Sequence, residues 1–111
     1  MDLILNERTV DSHVIVEVRG EVDVHSASQL KDRLIQVIDA GHKSVIVDLS
    51  WLQFIDSTGL GALVAAYNHA GAADVSFRLV CKAERLLKVF RITGLHEVLD
   101  IRPTVEQAMD A

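Results

Sequence analysis

Val45-Ile46-Val47-Asp48-Leu49-Ser50-Trp51-Leu52-Gln53-Phe54-Ile55-Asp56-Ser57-Thr58-Gly59-Leu60-Gly61 is the stretch on which the fold turns. It opens on an apolar run that reads as a strand buried on both faces, roughly Ser44 to Leu49. It closes on Leu60, Leu63, Val64 and Tyr67, spaced to share one helical face. A crossing loop is expected between them, finishing in the polar knot Asp56-Ser57-Thr58-Gly59. Asp and Ser are strong helix N-caps, because their oxygens accept hydrogen bonds from the unpaired N–H groups of a first turn. The unit is therefore a strand, a loop, and a helix whose start carries two adjacent hydroxyls. Two roles are open for the knot. It is a helix cap and nothing more, or Ser57 is a regulated hydroxyl. A phosphate on Ser57 would face first-turn N–H groups and the positive end of the helix dipole, and would add nearly two negative charges.

Upstream, Val14, Val16 and Val18 alternate with His13, Glu17 and Arg19, the period of a strand with one buried face. Leu3, Leu5 and Val10 mark an earlier strand, and Asp11-Ser12 a turn short enough to make the two antiparallel. Gly20 is expected to end the second strand. Ser26 and Gln29 then have capping-box spacing, and Ala27, Leu30, Leu34, Val37 and Ile38 form the apolar stripe of a helix that Gly41 closes. A strand, a crossover helix and a strand make a right-handed parallel unit. The chain leaves both strands at the same sheet edge, where sites of open α/β sheets collect. Asp23 follows one exit and Asp56-Ser57 the other, so these segments are expected to meet.

Downstream, Gly71 is expected to stop the second helix. Val75, Phe77 and Leu79 alternate as a strand, and Leu86, Leu87, Val89 and Phe90 give the apolar side of a third helix ending at Gly94. Val98, Leu99 and Ile101 form a short last strand or extended segment. After Pro103, Thr104 and Gln107 repeat the capping-box spacing ahead of a brief helix with Val105, Ala108 and Met109. No linker, low-complexity tract or repeat interrupts residues 1–111, so a single α/β domain is expected.

Composition narrows the function. Half of the 111 residues are hydrophobic, which supports a packed core rather than disorder. The formal charge is −5, and the nearest approach to a basic cluster, Lys82, Arg85, Lys88 and Arg91, is spread along one predicted helix. Nucleic acid is not the expected partner. The single cysteine, Cys81, excludes an internal disulfide and suits a small core residue. His13, His25, His42, His69 and His96 lack ligand spacing, so no metal is expected. No signal peptide or bilayer-length apolar run is seen, and a cytoplasmic location without membrane insertion is the expectation.

Enzyme chemistry finds little support. Ser57 lacks the Gly-x-Ser-x-Gly elbow, and only His25 near Asp23 is placed to serve as a base. There is no Walker loop, and Gly59-Leu60-Gly61 lacks the third glycine of a dinucleotide fingerprint. Asp23, Asp48 and Asp56 could be imagined around a magnesium ion, yet Asp48 and Asp56 sit where turns and caps use aspartate. No catalytic residue and no cofactor is therefore assigned. Trp51 and Phe54 are expected to pack over the core; the alternative is an apolar contact patch beside Ser57.

Gly20-Glu21-Val22-Asp23 with Ser26-Ala27, then Val45-Ile46-Val47-Asp48-Leu49-Ser50, then Phe54-Ile55-Asp56-Ser57-Thr58-Gly59-Leu60-Gly61 resemble the STAS domain family. The resemblance is greatest to the stand-alone bacterial anti-sigma factor antagonists, and it runs over nearly the whole chain. It implies a mixed β-sheet with an N-terminal antiparallel strand, flanked by about four helices. It further implies a non-enzymatic partner switch. The unphosphorylated protein would bind an anti-sigma factor with GHKL-type serine kinase activity and so release a sigma factor. The kinase would phosphorylate Ser57, with Thr58 as the rival acceptor, and a PP2C-type phosphatase would reverse this. Asp23, Asp56, Ser57, Thr58 and Gly59 would meet the partner. Apart from the resemblance, a monomer is the default expectation for the chain. STAS domains also serve as accessory or scaffold subunits of transporter, lipid-transport and stress-signalling complexes, where the same surface binds without phosphorylation.

Overall fold

The computed structural model of the chain describes residues 2–111. The elements run β1 (Ile4–Val10), β2 (His13–Val22), α1 (Ala27–Asp39), β3 (Ser44–Ile55), α2 (Ser57–Ala72), β4 (Ser76–Val80), α3 (Glu84–Ile92), a 3₁₀ turn (Leu95–Glu97), β5 (Asp100–Arg102) and α4 (Val105–Asp110). One sheet holds the five strands in chain order. β1 and β2 are antiparallel, and the remaining neighbours are parallel. This is the mixed sheet with an antiparallel first strand and four helices that the residues predict.

Chain order has a consequence for the layers. Each parallel crossover is right-handed, and all three step across the sheet in the same direction, so α1, α2 and α3 must lie on one face. The main core forms there. Val16 and Val18 of β2, Val45 and Val47 of β3 and Leu79 of β4 meet Leu30 and Leu34 of α1, Leu63 of α2 and Phe90 of α3. The opposite face is left to α4, whose Ala108 packs with Ile15, Ile46 and Val80. Being six residues long, α4 covers only part of that face.

Several local expectations are corrected. Gly20 does not end β2. It lies within the strand at φ 95°, and a Cβ there would stand 2.1 Å from the Asp2 carbonyl oxygen, so the glycine admits the incoming N-terminal segment. No loop follows Leu49, because β3 continues to Ile55 through two irregularities, opposite Glu17–Arg19 and Gly20–Glu21. Each gives β3 one extra residue over β2, the count of a β-bulge. The bulges break the alternation that marks a strand, which is why the stretch reads as a loop. Asp48 is accordingly not a turn residue: it is buried in the strand and accepts from the Ser50 amide (3.0 Å) and hydroxyl (2.5 Å) at the first bulge.

Trp51 and Phe54, expected over the core, are 53% and 48% exposed. Trp51 lies on the face that α4 fails to reach, with the Arg19 guanidinium 4.9 Å from its ring centroid. Ser26 does not cap α1 by a capping box. Its hydroxyl instead donates to the Glu21 carbonyl (3.0 Å) and accepts from the Asp23 amide (3.0 Å), bracing the turn before the helix. Gly71 lies inside α2, and the reversal comes at Asp74 in the left-handed region (φ 57°). Thr104 does cap α4, accepting from the Gln107 amide at 3.1 Å.

Candidate functional site

The site is built where β2 and β3 release the chain. The Asp56 amide donates to the Val22 carbonyl at 3.1 Å, tying the end of β3 to the end of β2. Asp56 then caps α2, its carboxylate accepting from the Gly59 amide at 3.1 Å. The Thr58 hydroxyl donates to the same carboxylate at 2.5 Å. That bond, followed by those from the Gly59, Thr58 and Val24 amides, holds the Asp56 carboxyl below the usual carboxylate range. Because Val22 ends β2, the Asp56 amide joins the two segments. The expected meeting of the two loops is therefore present.

Asp23 plays a narrower part. Its carboxylate accepts from the His25 amide (2.9 Å) and the Ser26 hydroxyl (3.3 Å), so it shapes its own turn. Its backbone carbonyl accepts from the Ser26 and Ala27 amides. His25 meets Asp23 through its amide, which leaves no imidazole–carboxylate pair to support a catalytic triad. Asp23, Asp48 and Asp56 do not form a common cluster: Asp48 is turned to Ser50 inside the sheet, and no metal-ligating group occurs among the described residues.

Gly59 is needed for packing. A Cβ there would lie 2.6 Å from Ile55 Cγ1 and 2.7 Å from Val22 Cγ1. Only glycine lets the first turn of α2 sit this close to the strand ends. With Asp56 as the cap, Ser57 is the first helical residue and is exposed. Among the described residues its hydroxyl has no hydrogen-bond partner in the protein, whereas that of Thr58 is engaged by Asp56. The two adjacent hydroxyls are thus unequal.

Two contributors escape sequence reading. Arg85 of α3 donates from Nη2 to the Leu52 carbonyl and from Nη1 to the Gln53 carbonyl, each at 2.8 Å. It satisfies carbonyls at the second bulge, beyond the point where β4 stops pairing. Val24, 67% exposed, presents an apolar side chain to the solvent in the turn beside Asp23. An apolar residue between Asp23 and His25 in a turn was the available signal.

The STAS domain family model matches residues 5–108. The chain belongs to the STAS domain family. This STAS domain is 31% identical over 101 residues to the anti-sigma-B factor antagonist of Bacillus subtilis (strain 168), covering 91% of this chain and 92% of that protein. The crystal structure of an anti-sigma factor antagonist from Mycobacterium paratuberculosis superposes with a TM-score of 0.90 at 26% identity, over 98% of this chain and 92% of that one. SpoIIAA has been solved unphosphorylated, with a TM-score of 0.78 covering 94% of that chain, and phosphorylated, with a TM-score of 0.71 covering 97%. Both are 25% identical and cover 96% of this STAS domain. No helix among the described residues is long and apolar enough to cross a membrane.

Proposed function

We propose that this STAS domain is an anti-sigma factor antagonist switched by phosphorylation of Ser57. Unphosphorylated, it binds an anti-sigma factor that is also a GHKL-type serine kinase, and a sigma factor is released. Phosphorylation ends the binding, and a PP2C-type phosphatase restores it. Asp23, Asp56, Ser57, Thr58 and Gly59 form the contact edge.

The observation that carries this reading is the difference between the two hydroxyls. Ser57 is exposed and without an internal partner, while Thr58 is committed to the cap. A residue needed only as a cap would be expected to bond the first-turn amides, and Asp56 does that instead. Relatives named as antagonists, and a relative solved in both phosphorylation states, support the same role. The mechanism is electrostatic. The Gly59 amide is already turned to Asp56, which takes one first-turn donor away from a phosphate on Ser57. That phosphate places a dianion beside the Asp56 carboxylate, and burying that dianion against a partner without a matching cation is costly. A loss of about 3 kcal/mol weakens binding roughly a hundredfold, with no change of fold.

The test compares wild type and Ser57→Asp as baits in native lysate, then adds ATP to the captured complex. Wild type should retain a GHKL-type kinase that phosphorylates Ser57, and Ser57→Asp should lose it. Equal capture of transporter or scaffold subunits by both baits would replace the switch with the accessory-subunit role.

A further inference from the structure

Three exposed apolar side chains adjoin the Ser57 edge. Val24 is 67% exposed, Trp51 53% and Phe54 48%. The two bulges of β3 fix which way the aromatics face. Trp51 stands opposite Arg19 and Phe54 opposite Glu21, whereas Leu52 and Ile55, opposite Gly20 and Val22, are buried in the main core. Trp51 and Phe54 therefore share the face that α4 leaves partly open. Ile4 stands on the other side of Arg19 and is also exposed. The strand holds both rings in place, and the Arg19 guanidinium rests 4.9 Å from the Trp51 centroid. Side chains ordered in advance lose little entropy when a partner covers them.

Size argues for what covers them. A specific protein interface takes about 800 Å² from each partner, on the order of 20–30 residues a side. The contact edge, Asp23 with Asp56 to Gly59, is far smaller than that. A patch of about 800 Å² is roughly 30 Å across. At about 3.3 Å per residue, Phe54 lies within roughly 10 Å of Ser57 and Trp51 within roughly 20 Å. Both rings therefore fall inside one footprint with the edge. The cations of this face have a partner within it, because Glu17 stands 3.6 Å from Arg8 and 4.0 Å from Arg19. The face offers aromatic surface rather than an uncommitted charge. A second copy fits it poorly. Two chains of net charge −5 repel, and a few side chains fall short of the area that a stable dimer needs.

We propose that the anti-sigma factor seated on Ser57 reaches over the sheet edge and packs an apolar surface on Phe54 and Trp51, with Val24 as a third anchor. Large aromatic side chains commonly carry a disproportionate share of interface energy. The aromatic patch then sets affinity, and Ser57 sets the state. This inference rests on the Ser57 reading and adds the partner's second contact and its apolar chemistry.

Trp51 is the single tryptophan of the chain, which makes the test direct. The full chain is labelled with fluorotryptophan and titrated with the unlabelled kinase recovered by the wild-type bait, in ADP so that no phosphate is transferred. Its one fluorine NMR line should shift or broaden saturably, and should stay unmoved in Ser57→Asp. By calorimetry, Phe54→Ser and Trp51→Ser should each weaken binding at least about tenfold, and Val24→Ser roughly fivefold. With ATP, Phe54→Ser should raise KM for phosphorylation and keep kcat, because the acceptor is untouched. Ile92→Ser, 74% exposed at the far end of α3, should bind as wild type. A fluorine line that does not move, while wild type binds and Ser57→Asp does not, would overturn this inference and leave the Ser57 reading standing. So would wild-type binding by both Phe54→Ser and Trp51→Ser. Recovery of no kinase, or equal binding by Ser57→Asp, would overturn both readings. A line that shifts when the labelled chain alone is concentrated would give the patch to a second copy instead.

Discussion

At the residue scale, the proposed switch rests on which oxygen is free. Ser57→Ala should keep its stability within about 0.5 kcal/mol, because no internal bond is lost. It should also abolish phosphorylation by the captured kinase, as read by phosphosite mapping. Thr58→Val should remain phosphorylated on Ser57 and lose about 0.5–1 kcal/mol with its bond to Asp56. Label found on Thr58 in wild type would reverse the assignment. Asp56 adds a pH signature. Its carboxyl lies below the usual range in the folded state, so its stabilising effect is full above its unfolded pKa and is lost as pH falls through the folded one. In Asp56→Asn, thermal stability should therefore lose less than wild type does on acidification. Gly59→Ala, with contacts under 3 Å to Ile55 and Val22, should cost about 1–3 kcal/mol in denaturant unfolding, as overpacked sites do.

At the element scale, β3 governs where the site stands. Its first half is an ordinary central strand between β2 and β4; its second half outruns β4 and carries two bulges. Arg85 closes the exposed side of that second half by binding the Leu52 and Gln53 carbonyls. Arg85→Met should cost about 1 kcal/mol. The loss should be local, appearing as faster amide hydrogen exchange at Ile55 and Asp56 before global unfolding. Unchanged exchange there would show that β2 pairing alone holds the strand end.

At the scale of the whole molecule, strand order and crossover hand together load three helices onto one face, and α4 alone partly closes the other. Ala108 is fully buried against Ile15, Ile46 and Val80. Ala108→Asp should cost about 2–4 kcal/mol, because a carboxylate would be forced into a dry contact. Loss of near-native stability here, with Ser57-dependent partner binding retained in the folded fraction, would show that the part of the second face under α4 supports the fold without taking part in the switch. The same topology explains the bare ring of Trp51, which lies on the helix-free face beyond the reach of a six-residue α4.

Periodicity and end signals by themselves determined the element order, the antiparallel first pair, the parallel unit around α1 and the meeting of two loops at one sheet edge. These follow from side-chain spacing and the fixed hand of the crossover, which are local or universal. The tertiary structure alone decided the rest. The alternation of β3 is lost at its bulges, and only pairing with β2 shows that Ser50 to Ile55 is strand. Asp56 and Ser57 are both competent caps by type; the cap fell to Asp56, whose amide is fixed on the carbonyl of Val22, a residue distant in sequence. Gly59 looked like part of a motif and proved to be a contact with no room for a methyl group. Long-range packing decides these matters because each is a competition between equivalent local choices, and the energy separating them comes from neighbours that local sequence does not contain.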